Sequence, residues 1–314
     1  MQEKECGTGK GRFAGVERMV PAGDLRLWTE EFGDPAHPAV LLLMGAGAQG
    51  VQWNDGFVAR LVAGGRRVIR YDHRDAGRSS TVDFAAHPYT VADMAADALA
   101  VLDALGVDRA HFVGASLGGV IAQRLAVTHR HRMLTLTALA SSPLGTDMAG
   151  IVGRAMAGLP PLEGELPAPT PELLATLASV SQSRGMGEEE YLAARLPLWR
   201  VLHGPDLPFD EDEYRAMERR VYRRARHLPA ALNHTLAGAA GSGRTEDLAG
   251  VTAPTLVLHG TADPMFPLPH GEALAAAVPG ARLVTVPGLG HTLPSALDGR
   301  LAEEVLRHTE RAGR

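Results

Sequence analysis

The sequence has 314 residues, of which 45% are hydrophobic and 21% are charged, and its formal net charge is −5. This hydrophobic fraction is enough for one packed core, with length left for a smaller subdomain. The weak negative charge excludes a global field that would attract nucleic acid or an anionic membrane, and it favours chemistry on a small molecule.

The N-terminal stretch MQEKECGTGKGRF shows neither strand alternation nor helical periodicity, so residues 1–16 are predicted to form a disordered extension. Cys6 is the only cysteine, which excludes a disulfide framework. The extension lacks the apolar region of a signal peptide, and no segment approaches the roughly 20 apolar residues that span a bilayer. We therefore expect a cytoplasmic protein.

Short apolar runs typical of strands recur along the chain, and most are followed by a segment with helical periodicity. Eight strands are predicted, at residues 17–21, 25–32, 39–44, 66–71, 110–115, 134–140, 255–260 and 281–286. Helices are predicted at about 53–63, 90–105, 117–129, 270–278 and 296–311. The first two strands can pair as a hairpin, and the later alternation predicts an α/β fold with a mostly parallel sheet covered on both faces.

This alternation stops between residues 143 and 243. Three helical segments follow one another there, at 171–183, 188–202 and 210–227, separated by clusters of proline and glycine. We interpret residues 143–243 as a helical cap inserted after the sixth strand. The core of the α/β fold then comprises residues 17–142 and 244–314.

The first candidate site is the glycine loop MGAGAQG, which follows the third strand. Gly45, Gly47 and Gly50 have the G-x-G-x-x-G spacing of a dinucleotide-binding turn, and Asp72 closes the next strand as such a site requires. An NAD-type oxidoreductase is therefore one open alternative. Against it, AQGVQWN separates the glycines from the next helix, so the helix amides need not converge on a phosphate.

The second candidate site is HFVGASLGG, between the fifth strand and a helix. Gly114, Ser116 and Gly118 have the G-x-S-x-G spacing of a nucleophile elbow. In such a turn the serine takes a strained backbone conformation that lifts its hydroxyl above the sheet, and its neighbours must be nearly without side chains. We predict that Ser116 is a nucleophile.

A serine hydroxyl needs a histidine to accept its proton and a carboxylate to orient that histidine. Asp263 in LHGTADPMF and His291 in VPGLGHTLP each follow a strand, in the chain order that this type of site requires. We therefore predict a Ser116–His291–Asp263 triad. The alternatives considered less favourable are His259 and His270 as the base, and Asp247 and Asp298 as the acid.

Acyl transfer also needs backbone N–H groups directed at the developing oxyanion. One is predicted at Leu117, directly after the nucleophile, and the other at Gly45 or Ala46 in the glycine loop. The glycines are then explained by the approach of a substrate carbonyl rather than of a pyrophosphate. This chemistry requires no cofactor and no metal.

The third candidate is YDHRDAGRSS. Its HRD triplet resembles the start of a kinase catalytic loop, but Ser80 stands where that loop needs an asparagine. A metal site formed by Asp72, His73 and Asp75 is conceivable, although adjacent residues of a tight loop rarely converge on one ion. We favour a structural loop whose charged groups bind neighbouring turns.

Candidate substrate contacts are Met44 in the glycine loop and Trp199 and Tyr222 in the cap, although the cap residues can equally pack the cap onto the sheet. An arginine run near a helix end is interpreted as a solvated face, with an acidic substrate or partner as the alternative. The run consists of Arg219, Arg220, Arg223, Arg224 and Arg226.

Together, VGASLGG, Asp263, His291 and the helical insertion resemble the α/β-hydrolase family. The stretches VPAGDLRLWTEEFGDPAHPAVLLLMG, VIRYDHRDAGRSSTVDFAAHPY, LPFDEDEYRAMERR and PGLGHTLPS are similar to the aclacinomycin methylesterase group. That resemblance implies hydrolysis of the methyl ester of a glycosylated aromatic polyketide. Serine at the nucleophile position disfavours haloalkane dehalogenases and epoxide hydrolases, which need aspartate there.

The expected partner is therefore a small-molecule ester, bound by a monomer or homodimer, with no nucleic acid or membrane partner. Hydrolysis of a lactone or of a C–C bond by the same triad stays open. A binding protein that retains the triad without catalysis is a further alternative.

Overall fold

The computed structural model describes residues 15–180, 187–239 and 244–311. Most of the predicted N-terminal extension, including Cys6, lies outside the described residues, as does the end of the first predicted cap helix at 181–183. The strands are β1 (Val16–Ala22), β2 (Leu25–Phe32), β3 (Ala39–Leu43), β4 (Arg67–Tyr71), β5 (Ala110–Ala115), β6 (Met133–Leu139), β7 (Thr255–Gly260) and β8 (Arg282–Val286).

These eight strands form one sheet with the order β1-β2-β4-β3-β5-β6-β7-β8. β1 and β2 form the predicted antiparallel hairpin, in which Ala22 pairs with Leu25. β2 is antiparallel to β4, and all pairings among β3 to β8 are parallel. Leu43 at the end of β3 lies opposite Gly114 in β5. The loops that follow these two strands therefore leave the same edge of the sheet side by side.

The helices of the described residues are α1 (Asp55–Ala63), α2 (Val91–Ala104), α3 (Leu117–Thr128), α4 (Met148–Met156), α5 (Pro171–Val180), α6 (Glu188–His203), α7 (Glu211–Arg224), α8 (Asn233–Ala239), α9 (Pro269–Ala277) and α10 (Asp298–Arg311). The predicted helices of the α/β core are all present, within two residues of their predicted ends. At the start of α2, Thr90 and Asp93 form the predicted capping box.

The sheet is covered on both faces, as its continuous apolar strands predict. Leu41 and Leu43 of β3 join a core cluster with residues of α2, α3 and α9. Val40 and Leu42 point the opposite way and join a second cluster with residues of α1 and α10. The chain thus has an α/β fold in which a mostly parallel sheet lies between two helical layers.

Between β6 and β7 the described residues include five α-helices, and we call α4 to α8 the cap helices. α5, α6 and α7 correspond to the three predicted segments, whereas α4 and α8 were not predicted. Both missed helices are short, and their sequences, MAGIVGRAM and NHTLAGA, contain glycines that weaken a helical pattern. In the described part of the chain, no helix combines the length and apolarity needed to cross a membrane.

Candidate active site

The turn between β5 and α3 has the geometry of a nucleophile elbow. Ser116 has φ 52° and ψ −120°, a strained conformation for a residue with a side chain. A Cβ atom on Gly114 would lie 2.2 Å from the carbonyl oxygen of Gly118. A Cβ atom on Gly118 would lie 2.1 Å from the carbonyl oxygen of Leu43. Both glycines are therefore required by close approach of the backbone, as the sequence predicts.

The structure brings the three predicted triad residues together. The Ser116 hydroxyl lies 3.1 Å from Nε2 of His291, and Nδ1 of His291 lies 2.8 Å from Oδ2 of Asp263. In this arrangement the hydroxyl donates to Nε2 and Nδ1–H donates to the carboxylate. The other carboxylate oxygen of Asp263 accepts the backbone N–H groups of Met265 and Phe266, both at 2.9 Å.

These contacts keep the buried carboxyl of Asp263 ionised. Burial alone raises the pKa of Asp263, but the charge and hydrogen bond of His291, with smaller effects of His259 and the Phe266 amide, lower it below its ordinary value. Phe266 also packs edge-on against the His291 ring, with 5.3 Å between the ring centroids. The imidazole is thus held in one tautomer and one orientation.

The backbone around His291 is fixed by the end of cap helix α6, which the sequence did not indicate. The N–H of His291 donates to the carbonyl of Leu202 at 2.6 Å, and the N–H of Gly290 donates to the carbonyl of His203 at 3.1 Å. A Cβ atom on Gly290 would lie 2.2 Å from the Leu202 oxygen. A glycine directly before the histidine was the one signal in the sequence for this close approach.

Two segments that carry predicted oxyanion donors, the glycine loop and the start of α3, lie next to Ser116. A Cβ atom on Gly45 would lie 3.1 Å from Cβ of Ser116 and 3.7 Å from its Oγ, so the backbone of the glycine loop faces the serine. Ala46 follows directly in this loop. Leu117 begins α3, and the first amides of a helix have no acceptor within the helix. These positions are compatible with the predicted roles.

Asp72 has no carboxylate oxygen left for a ribose. Its Oδ1 accepts the N–H of Gly50 at 2.8 Å, and its Oδ2 accepts the N–H of Arg78 at 2.9 Å and lies 3.0 Å from Nη2 of Arg224. Asp75 is similarly engaged, accepting the hydroxyl of Tyr89 at 2.7 Å. The G-x-G-x-x-G spacing therefore belongs to a loop that is hydrogen-bonded to Asp72, and not to a dinucleotide turn. The contacts of Asp72 and Asp75 also agree with our interpretation of YDHRDAGRSS as a structural loop.

The less favoured bases and acids are held by other groups. Nε2–H of His259 donates to the carbonyl of Phe266 at 2.7 Å and so supports the loop of the triad carboxylate. His270 lies between Ser142 and the carbonyl of Pro167. Asp298 accepts Nδ2–H of Asn54, and Asp247 accepts the N–H of Arg244.

The three candidate substrate contacts all take part in packing. Met44 is buried in the core cluster on the α1 and α10 face of the sheet. Nε1–H of Trp199 donates to Glu218 at 2.5 Å, and the ring of Tyr222 packs against Tyr191 at 5.2 Å between centroids. A contact of these residues with substrate stays a prediction.

Several members of the arginine run are paired with acidic groups. Arg219 and Arg223 both bind Glu188, at 2.9 and 2.8 Å, and Arg224 binds Asp72. Arg219 and Arg223 thus agree with a solvated, locally neutralised helix face. For Arg224 that interpretation is wrong, because its side chain is only 7% exposed and binds the buried Asp72. The pairing does not favour an acidic partner.

A parallel sheet with a nucleophile elbow, and a serine, a histidine and an aspartate meeting at its carboxyl edge, define a class of enzymes. The profile described as alpha/beta hydrolase fold matches residues 38–294, and the chain belongs to this family.

Two curated relatives match nearly the whole chain. Rhodomycin D methylesterase DauP of Streptomyces sp. strain C5 and rhodomycin D methylesterase DnrP of Streptomyces peucetius are each 41% identical over 295 residues, covering 94% of this chain and 98% of either relative. The predicted resemblance to the methylesterase group is confirmed.

Among solved structures, the 2-hydroxy-6-oxo-6-phenylhexa-2,4-dienoate hydrolase BphD from Rhodococcus sp. strain RHA1 is similar. Its TM-score is 0.72 at 22% identity, with 94% of this chain and 99% of that chain covered. This likeness shows the fold alone.

Proposed function

We propose that the protein is a serine esterase that hydrolyses the methyl ester of an aromatic polyketide of the rhodomycin D type. The observation that carries this proposal is the hydrogen-bonded series Ser116–His291–Asp263, whose members follow β5, β8 and β7 respectively. The substrate class is supported by the two relatives named rhodomycin D methylesterase, which match the chain over 94% of its length.

The geometry supports a two-step acyl transfer. Oγ of Ser116 attacks the ester carbonyl carbon while its proton passes to Nε2 of His291. The imidazolium then protonates the methoxy oxygen as its bond to the carbonyl carbon breaks, so methanol leaves. In the second step His291 deprotonates a water molecule, whose oxygen attacks the acyl carbon. The imidazolium returns its proton to Oγ as the bond between the carbonyl carbon and Oγ breaks, which releases the carboxylic acid and the free serine. Asp263 stays ionised and stabilises the imidazolium.

The negative oxygen that forms in each step needs preorganised donors. We assign this role to the N–H of Leu117 and to that of Gly45 or Ala46. Loss of one such donor typically costs about 3 to 4 kcal/mol of transition-state stabilisation.

We assign residues 143–243 to a cap that supplies the substrate pocket, and residues 17–142 and 244–314 to the catalytic core. The bonds from Leu202 and His203 to the His291 loop support this division of roles. Trp199 and Tyr222 of the cap and Met44 of the core are the proposed substrate contacts. We further propose a cytoplasmic monomer or homodimer, since a single cysteine is typical of proteins that fold without disulfides.

The catalytic assignment is tested with Ser116→Ala. We expect turnover of p-nitrophenyl acetate to fall by about 10⁵-fold or more, and covalent labelling by a fluorophosphonate to disappear, with an unchanged thermal midpoint. Ser295→Ala is a control, because Ser295 binds Glu213 on the exposed surface. This variant should be labelled to the same extent as the wild-type enzyme. Retained turnover in Ser116→Ala would refute the assignment.

The substrate class is tested by incubating the wild-type enzyme with methyl esters of glycosylated aromatic polyketides. Mass spectrometry should detect the carboxylic acid and methanol, and kcat/KM should exceed that for p-nitrophenyl acetate. Hydrolysis of lactones or C–C bonds, with these methyl esters untouched, would exclude the proposed substrate.

A further inference from the structure

The glycine loop beside the nucleophile is held by side chains from two other segments. Its first anchor is the carbonyl of Met44, which accepts Nε2–H of His73 at 2.9 Å. Its second anchor is the N–H of Gly47, which donates to Nδ1 of His234 in cap helix α8 at 2.9 Å. The triad does not use either histidine, and both are almost completely buried.

The two anchors lie on either side of the proposed oxyanion donors. In a planar trans peptide the C=O and N–H groups point in opposite directions. When His73 holds the Met44 oxygen, it therefore sets the direction of the Gly45 N–H. The hydrogen bond from the Gly47 N–H to His234 likewise sets the orientation of the peptide group between Ala46 and Gly47. The intermediate peptide is fixed within the loop, where the Gly45 oxygen accepts the N–H of Ala48 at 3.2 Å.

The hydrogen bonds determine the tautomer of both rings. Nδ1 of His234 must be unprotonated to accept from Gly47, and Nε2–H donates to the carbonyl of Arg74 at 2.6 Å. Nε2 of His73 must carry its proton to donate to Met44. The rings also meet edge to face, with 5.8 Å between their centroids. A neutral state suits this site, because burial lowers the pKa of His234 and is also the main cause that lowers the pKa of His73 to about 3.

We infer that His73 and His234 are positioning residues, which orient the oxyanion donors of the glycine loop from the segment after β4 and from the cap. This inference rests on the proposed esterase function. The inference gives α8 a role in catalysis, because its residue His234 orients a loop of the acyl-transfer site that belongs to the core.

The test uses two substitutions of His234 that preserve different halves of the ring. His234→Asn keeps an acceptor near the position of Nδ1, which can still bind the Gly47 N–H. His234→Gln places its amide near Nε2, where it can donate to the Arg74 carbonyl while the Gly47 N–H loses its partner. We expect kcat to fall about 10- to 100-fold in His234→Gln with little change in KM, and most of kcat to be retained in His234→Asn.

A second readout separates positioning from general stability. A trifluoromethyl ketone forms a hemiketal oxyanion with the serine, so its Ki should rise in His234→Gln in parallel with the fall in kcat/KM. His111→Gln is the matched control, since His111 is a buried histidine that binds Thr135 near the opposite end of β5 from Ser116. It should lower the thermal midpoint without changing kcat or Ki.

The results for the His234 variants test the positioning role, whereas the activity of the wild-type enzyme tests the proposed function. Wild-type kcat and Ki in folded His234→Gln, or equal losses in both His234 variants, would overturn the positioning role. If His234→Gln does not fold, long-range ¹H–¹⁵N spectra of the wild-type histidines decide, because the inference requires the Nε2–H tautomer for both rings. Absence of any ester turnover by the wild-type enzyme would instead refute the proposed function.

Discussion

At the scale of single residues, the site depends on backbone that comes close enough to exclude side chains. Ser116 has a positive φ because the turn from β5 into α3 must lift its hydroxyl above the sheet. Gly118 then touches the end of β3, which carries the glycine loop. The glycine at position 118 is therefore required both by the elbow and by the packing of β3 against β5.

Substitution of Gly118 tests this requirement. In Gly118→Ala the new Cβ atom would collide with the Leu43 carbonyl, and neither backbone can move without shifting the nucleophile or the glycine loop. We expect a loss of about 1 to 3 kcal/mol of unfolding free energy and a kcat lowered about 100-fold. Urea denaturation and steady-state kinetics measure the two effects.

Gly153→Ala provides the control, because a Cβ atom there meets nothing within 4 Å and the residue lies inside α4. It should stabilise the protein by about 0.5 to 1 kcal/mol and leave kcat unchanged. An active, fully stable Gly118→Ala enzyme would contradict the steric account of the elbow.

At the scale of elements, the pairing of α6 and α7 gives the cap a rigid centre. The carboxylate of Glu218 in α7 is buried and accepts hydrogen bonds from Tyr191, Arg195 and Trp199 of α6, at 3.0, 2.9 and 2.5 Å. These three donors are spaced four residues apart, so they lie on one face of the helix. Because α6 also ends on the loop that carries His291, this ion pair links the interior of the cap to the proposed catalytic base.

Replacing Glu218 with Gln should separate the two helices. The change removes the buried counter-charge of the Arg195 guanidinium, whose side chain is 27% exposed. Solvent screening of Arg195 should keep the cost below the roughly 3 to 5 kcal/mol of a fully buried pair, at about 2 to 3 kcal/mol. We expect a lower thermal midpoint and a reduced kcat, measured by calorimetry and ester hydrolysis.

The exposed Glu211 of α7 supplies the comparison, since it pairs with Arg200 and Arg215 at the surface. Glu211→Gln should cost no more than about 1 kcal/mol. Equal destabilisation by both substitutions would show that burial of Glu218 has no special role.

At the scale of the whole molecule, buried neutral histidines make stability depend on pH. Burial is the main cause that lowers the pKa of His73 to about 3 and that of His111 to about 4, both from an ordinary value of 6.5. Between these values and pH 6.5 the unfolded chain binds protons that the folded protein does not. The free energy of unfolding must therefore fall as the pH falls below 6.5.

We expect a slope of about 1.4 kcal/mol per pH unit from each of these two histidines between about pH 6 and about pH 4.5. Urea denaturation across this range measures the slope. In His111→Gln the slope should decrease by about 1.4 kcal/mol per pH unit, because the unfolded variant has no imidazole at position 111 to protonate. An unchanged slope in that variant would show that His111 does not contribute.

Much of the core architecture could be predicted because its signals are local. Apolar runs marked the central strands β3, β5 and β7, and the 3.6-residue period and the Thr90 capping box marked the main helices. The chain order of Ser116, Asp263 and His291 at strand ends was sufficient to predict that these side chains meet, since parallel strands place those ends on one edge. The short helices α4 and α8 were missed because a few turns containing glycine give no clear period.

The sequence by itself determined the α/β class and indicated the proposed nucleophile and its two partners, because steric demands and burial patterns act between near neighbours in the chain. Only the tertiary structure decided which groups support them. Gly47 and His234 are 187 residues apart, and no periodicity or motif relates them. The position of Asp72 along the chain likewise fits a dinucleotide site. In the folded protein, however, its carboxylate binds Gly50 and Arg224. Such contacts depend on how separate elements pack, which residue spacing along the chain does not encode.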